Sequence, residues 1–178
     1  MMKARLMHGS AALFALAGWS GSGKTTIAEQ LIAELTARGL NMATIKHAHH
    51  EFDADTPGKD SWRHRKAGAR QVLVSSAVRS AHFVEHAGPE PALDQLLDRL
   101  HPCDLVLIEG FKREAVPKLE IFRPDLNKPP LYPDDQTIIA VASTTALPDC
   151  PLPVLKLDDI AAIAGFILET TGLKGQQD

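Results

Sequence analysis

The chain has 178 residues, of which 44% are hydrophobic and 23% charged, proportions ordinary for a soluble globular protein forming one domain (1–178) with its own core. A net charge of −3 and a pI near 6.2 argue against nucleic acid as a partner, and no apolar run is long enough to make a membrane one. The two cysteines, Cys103 and Cys150, lack metal-type spacing and suit reduced thiols in a cytoplasmic protein.

Residues 1–9 read as a frayed leader. Lys3, Arg5, the apolar run after them and Ala15-Leu16-Ala17 imitate a secretory signal. Cleavage there would remove the strand that the next motif needs, so the signal reading is rejected. Residues 11–17 are continuously apolar, as in a strand buried on both faces. Residues 26–38 read as a helix with Ile27, Leu31, Ile32 and Leu35 on one side and Gly39 as its stop. A short strand at 42–46 opens into a polar stretch containing Pro57-Gly58, just past a strand's carboxyl end, where open α/β sheets bind ligands. A helix over 61–66 follows, with Asp60 as its N-cap.

Residues 71–75 and 80–85 are strand-like, and so short a link forces them antiparallel, leaving an edge that invites a second chain. A helix is predicted over 91–100 and a buried strand over 104–108, ending in Glu109-Gly110. Residues 119–122 form a weaker strand, 123–135 a long loop rich in proline and charge, and 137–142 and 153–155 further strands. Asp158 or Asp159 caps a last helix that runs to Gly172. Strands alternating with helices imply an α/β fold: a mostly parallel sheet with helices on both faces, plus an antiparallel strand pair at one edge.

The chemistry concentrates at Gly18-Trp19-Ser20-Gly21-Ser22-Gly23-Lys24-Thr25, which fits the phosphate-binding P-loop pattern of an NTPase without a mismatch, followed by Thr26. Glycines let backbone N–H groups turn inward around an anion. Lys24 can reach the β- and γ-phosphates, and the Thr25 hydroxyl can ligate Mg²⁺. Glu109, an acid at the tip of an apolar strand, is the second candidate Mg²⁺ ligand, and the Gly110 amide can approach a terminal phosphate.

His47, His49, His50 and Asp53 admit a switch loop around the triphosphate, plain exposed loop residues, or a transition-metal site; the switch loop is favoured over the other two. Asp55 and Asp60 are candidates for a metal-side acid or for orienting attacking water. Lys59, Arg63, Arg65, Lys66 and Arg70 form a basic cluster that faces phosphates or solvent, and Lys112, Arg113 and Lys118 border a candidate substrate or partner surface or face solvent. Guanine and adenine are not separated: Asn127-Lys128 lacks the acid of a guanine motif, and Leu155-Lys156-Leu157-Asp158 lacks its Asn.

On these residues the chain resembles the molybdopterin-guanine dinucleotide biosynthesis protein B (MobB) family. The likeness rests on the 18–26 loop, Ile45-Lys46-His47-Ala48-His49-His50, Pro57-Gly58-Lys59-Asp60-Ser61 with Arg65-Lys66-Ala67-Gly68-Ala69, Leu107-Ile108-Glu109-Gly110-Phe111-Lys112, and the strand at 138–143. The resemblance implies a P-loop fold and a GTP-binding homodimer with weak GTPase activity. Such a protein assists attachment of GMP to molybdopterin beside the guanylyltransferase of the pathway, with molybdopterin itself a candidate ligand. It also implies that Lys24, Thr25, His49, His50, Lys59 and Asp60 surround the phosphates. The expected cofactors are GTP and Mg²⁺, with Lys24, Asp60 and Glu109 as the candidate catalytic residues. No catalytic Gln or arginine finger stands out, so slow hydrolysis is expected. A P-loop small-molecule kinase and a nucleotide-dependent metal chaperone or adaptor are the alternatives.

Overall fold

The computed structural model describes residues 4–48 and 52–175. They fall into two compact units, one running to His47 and resuming at Leu93, the other spanning Ala48–Ala92. Strand β1 (Met7–His8) turns through Gly9 into β2 (Ala11–Ala17), followed by helix α1 (Lys24–Ala37) and β3 (Met42–Lys46). The second unit holds α2 (Asp60–Lys66), β4 (Gln71–Ser75) and β5 (Ser80–Val84). The first unit resumes with α3 (Leu93–Leu97), β6 (Leu105–Glu109), β7 (Lys118–Phe122), β8 (Ile138–Ser143), β9 (Val154–Lys156) and α4 (Ile160–Thr171).

The first unit is a sheet in the order β3-β6-β2-β7-β8-β9, all parallel, with β1 added antiparallel to the start of β2. Successive side chains of a strand point to opposite faces, and β2 is apolar on both. Ala12, Phe14 and Leu16 pack under α1 and α4, with Ile27, Leu31, Leu35, Ile163 and Ile167. Leu13 and Ala15 pack on the other face, with Leu93 and Leu97 of α3. In the second unit β4 and β5 pair antiparallel as a two-stranded sheet of their own.

Several expectations shift. The leader is tied down from Arg5 onward: Arg5 N–H donates to the Ala115 carbonyl at 2.6 Å, Leu13 N–H to that of Leu6 at 2.8 Å, and the Arg5 guanidinium pairs with Asp94 at 2.5 Å. Helix α3 stops at Leu97, because Arg99 and Leu100 bond back only three residues, a tighter turn than an α-helix. Helix α2 begins at Asp60 with Lys59 in the cap position, so Asp60 is no N-cap; its charge sits in the first turn, favourably for the helix dipole.

The strand with the weakest sequence signal, β7, lies between β2 and β8. Its two charged residues are buried. Lys118, expected at a surface, is 1% exposed: its ammonium donates to the Glu114 carbonyl at 2.7 Å and to the Thr137 hydroxyl, and pairs with Asp135 at 3.1 Å. Glu120 accepts from the N–H groups of Leu131 and Tyr132 at 2.7 and 2.9 Å. Burial pushes the Glu120 carboxyl up, against the pull of those two bonds. One buried carboxylate thereby anchors the 123–135 segment, which includes a 3-10 turn at Pro124–Leu126.

Glu120→Ala should strand two N–H groups, at about 1–3 kcal/mol for each one left unsatisfied. Urea unfolding should show the lost stability, and hydrogen exchange should speed up selectively at Leu131 and Tyr132.

Candidate functional site

Strand β2 delivers the chain to Gly18 at the carboxyl end of a parallel sheet. With φ of 146°, Gly18 sits where a Cβ would stand 2.7 Å from both the Ile121 carbonyl oxygen and Ser22 Oγ, so the loop closes only around glycine. The Ser22 N–H donates to the Trp19 carbonyl at 3.1 Å, while the buried Ser22 hydroxyl has no partner among the described residues. Gly23, at φ of 90°, is the cap residue of α1; no side chain caps this end, and its first turn carries no acid. The unpaired N–H groups of such a start make an anion site.

Lys24 opens α1, and its ammonium donates to the carbonyls of Gly18 and Trp19 at 2.9 and 2.8 Å. Burial lowers its pKa, Glu109 opposes that shift, and Lys112 and Lys46 add to it. In-register pairing sets Glu109 beside Leu16 on one side and Lys46 on the other. The Thr25 hydroxyl therefore donates to Glu109 Oε1 at 2.8 Å. Lys46 Nζ reaches Thr25 Oγ1 at 3.2 Å and Glu109 Oε2 at 3.5 Å. Thr25 and Glu109 are two hard oxygen donors converging at one point, a set that fits Mg²⁺ with water completing its shell. Gly110 follows at φ of 92°, and a Cβ there would lie 2.6 Å from that of His47.

Lys46 and Arg123 also belong to this group, although no local pattern marks either. Arg123 Nε donates to the Ser22 carbonyl at 2.9 Å. Trp19 is pinned by its indole N–H on the Pro129 carbonyl at 2.7 Å, with the Lys112 and Lys128 ammonium groups 5.2 and 5.9 Å from its ring. The 123–135 segment is thus braced on the phosphate loop. A cavity of about 970 Å³ adjoins it, walled by Thr26, Ile27 and Gln30 of α1, by the segment after β8, and by β9 with the residues that follow it.

The structure brings Gly18, Trp19, Ser20, Gly21, Ser22, Gly23, Lys24, Thr25 and Thr26 together with Glu109 and Gly110. Lys59 and Asp60 stand exposed at the start of α2 in the second unit, where Asp60 faces Arg63 at 3.9 Å. His49 and His50 lie outside the described residues, among which no group of three or more His, Cys, Asp or Glu side chains could hold a metal ion. Asp55 has a structural task in place of the metal or water role considered for it. It accepts from Ser61 Oγ at 2.8 Å and from Arg65 Nε at 3.0 Å. Arg65 also binds Asp53 and Glu85, each at 2.6 Å, and lies over the Phe83 ring. Three carboxylates therefore occupy the central cation of the basic cluster.

The family model described as molybdopterin guanine dinucleotide synthesis protein B matches residues 13–144. The chain belongs to that family. A relative from Escherichia coli (strain K12), a molybdopterin-guanine dinucleotide biosynthesis adapter protein, is 42% identical over 161 residues, covering 88% of this chain and 91% of its own. A Haemophilus influenzae protein with the same description is 40% identical over 169 residues, covering 94% and 93%. The crystal structure of a molybdopterin-guanine biosynthesis protein B superposes with a TM-score of 0.71 at 27% identity, over 90% of this chain and 99% of that one. The fold is the P-loop NTPase fold of these MobB structures. The family match takes in the phosphate loop, the β4–β5 pair and Glu109, and ends at Thr144, before β9 and the second wall of the cavity. Among the described residues no helix is long and apolar enough to cross a membrane.

Burial raises the Asp55 carboxyl, but hydrogen bonds from Ser61 and Arg65 outweigh it and hold the group below the usual carboxylate range. Its contribution is complete above the ordinary value of about 3.9 and is lost as pH falls through the lowered one. Acidification below about pH 4 should therefore open the second unit. Hydrogen exchange of the β4–β5 amides should show this in the native protein. Asp55→Asn should lose protection already at neutral pH and respond less to acid.

Proposed function

We propose that this MobB family member binds GTP with Mg²⁺ in the loop from Gly18 to Thr26, hydrolyses it slowly, and so serves as an adapter in molybdopterin guanine dinucleotide synthesis. The observation that carries the nucleotide reading is the Thr25–Glu109 contact of 2.8 Å at the uncapped start of α1. It joins a metal-binding oxygen pair to a backbone anion hollow.

In this reading the α1 N–H groups and the glycine-loop amides receive the phosphates. The Lys24 ammonium exchanges two neutral carbonyls for charged oxygens, a stronger class of hydrogen bond. Thr25 and Glu109 hold Mg²⁺, which when bound supplies electrostatic stabilisation of charge developing on the phosphoryl oxygens. Lys46, 61% exposed along its side chain, is free to leave the oxygen pair. Arg123 is committed to the Ser22 carbonyl, which suits slow hydrolysis unless a partner adds a cation. The nucleoside would occupy the cavity beside Thr26.

Lys59, Asp60, His49 and His50 belong to the proposal on the family resemblance. The pathway's guanylyltransferase is the proposed partner, with molybdopterin a further candidate ligand, in the cytoplasm, where GTP and free thiols such as Cys103 and Cys150 coexist. A homodimer through the second unit is supported by its two-stranded sheet and by Leu73 and Val78, which are 68% and 94% exposed.

Titration calorimetry with GTP and Mg²⁺ tests the reading. Lys24→Ala should weaken binding about 10- to 100-fold, the value of one charge-assisted contact, and Glu109→Gln should remove most of the Mg²⁺ dependence. Unchanged affinity in Lys24→Ala would overturn it. Turnover of purified protein should stay below the range of about 1–100 s⁻¹ typical of kinases. For the dimer, sedimentation velocity of Leu73→Lys should show monomer where the parent protein sediments as a pair.

A further inference from the structure

We infer that Asp158, with Lys156 beside it, reads the base of the nucleotide and makes the site selective for guanine over adenine. The inference rests on the nucleotide reading above and deepens it. Asp158 and Asp159 are adjacent acids ahead of α4, and either suits a helix cap by sequence. The structure separates them. Asp159 is the cap, its Oδ1 accepting from the Ala162 N–H at 2.9 Å. No hydrogen bond or ion pair engages the Asp158 carboxylate among the described residues, and it lines the cavity that adjoins Thr26. It is the one carboxylate among the described residues of that wall.

Position and polarity both favour a base. Leu157 is buried and donates its N–H to the Ser143 carbonyl at 3.0 Å, fixing the end of β9. Its neighbours Lys156 and Asp158 both line the cavity. They offer a cation and an acceptor pair two residues apart. Guanine presents a carbonyl acceptor at C6 and donors at N1 and the 2-amino group, which match an ammonium and a carboxylate in that order. Adenine presents a donor at the 6-amino group and an acceptor at N1, so it would meet both charges with the wrong sign. A site that reads a hydrogen-bonding edge rejects an analogue that leaves its polar groups unmatched far more strongly than an apolar pocket does. Lys156 ends β9 and Asp158 follows it, both beyond the residues that the family model covers.

Xanthine separates a reading role from a structural one, because it keeps the C6 carbonyl and N1–H but replaces the 2-amino group with a carbonyl. An Asn at position 158 can accept from N1–H through Oδ1 and donate to the C2 carbonyl through Nδ2. Calorimetry of the full chain with GTP, ATP and XTP, each with Mg²⁺, makes the comparison. The parent protein should prefer GTP to both others. Asp158→Asn should lose about tenfold or more in GTP affinity, the worth of a good bidentate base contact, and should bind XTP more tightly than GTP. Asp159→Ala, which loses the cap, should melt earlier yet keep the parental order. Equal affinity of the parent for GTP and ATP would overturn the inference. So would Asp158→Asn with the parental GTP-to-XTP ratio; in both cases the phosphate-loop reading would stand. Parent protein that is folded and binds none of the three would instead defeat that reading, and this inference with it.

Discussion

Level pairing of three parallel strand tips underlies everything else at the phosphate loop. Strands β2, β6 and β3 run in register, so Leu16, Glu109 and Lys46 end side by side. A slip of one residue in β6 would turn Glu109 to the other face of the sheet and separate it from Thr25. The 2.8 Å contact between them is thus a property of the whole apolar sheet. Phe14, Leu107 and the residues of α1 and α4 that cover them hold that register by burying one face. Packing and site chemistry share the same residues' backbone.

A second constraint comes from the other side of β2. Strand β7 carries Lys118 and Glu120 into the interior, where an unpaired charge is far more costly than on a surface. Both are satisfied by groups from the long connection to β8: Asp135 and Thr137 for the lysine, the Leu131 and Tyr132 amides for the glutamate. The connection is therefore held close to the sheet, near enough for Pro129 to meet Trp19. Arg123, leaving the end of β7, reaches Ser22 from the same side. The phosphate loop is braced from two directions, by β6 through Glu109 and by β7 through Arg123 and the segment after it.

Legibility in the sequence follows how local each feature is. The glycine-lysine loop, the apolar strands read at 11–17 and 137–142, and the acid at the tip of β6 are carried by neighbours in the chain, and each stands within one residue of where the pattern puts it. Strand β7 reads weakly because Lys118 and Glu120 resemble an exposed strand until the partners further along the chain, 11 to 19 residues on, are known. Lys46 and Arg123 join the site only through strand order, which no local pattern encodes. Asp55 looked available for chemistry because its attachment to Arg65 spans a turn and a helix. The choice between Asp158 and Asp159 as the cap turns on which carboxylate reaches the Ala162 N–H, invisible to composition.

The chain contains two tryptophans, and the fold allots one to each unit: Trp19 to the phosphate loop and Trp62 to α2. Indole emission responds to nearby charge and to hydration, and the Trp19 ring has the Lys112 and Lys128 ammonium groups 5.2 and 5.9 Å from its centre. With Trp62 replaced by phenylalanine, the remaining fluorophore becomes a built-in optical reporter on the environment of the Gly18–Thr26 loop. The reverse replacement leaves a sensor of the other unit, so motions of the two can be timed separately with no dye attached.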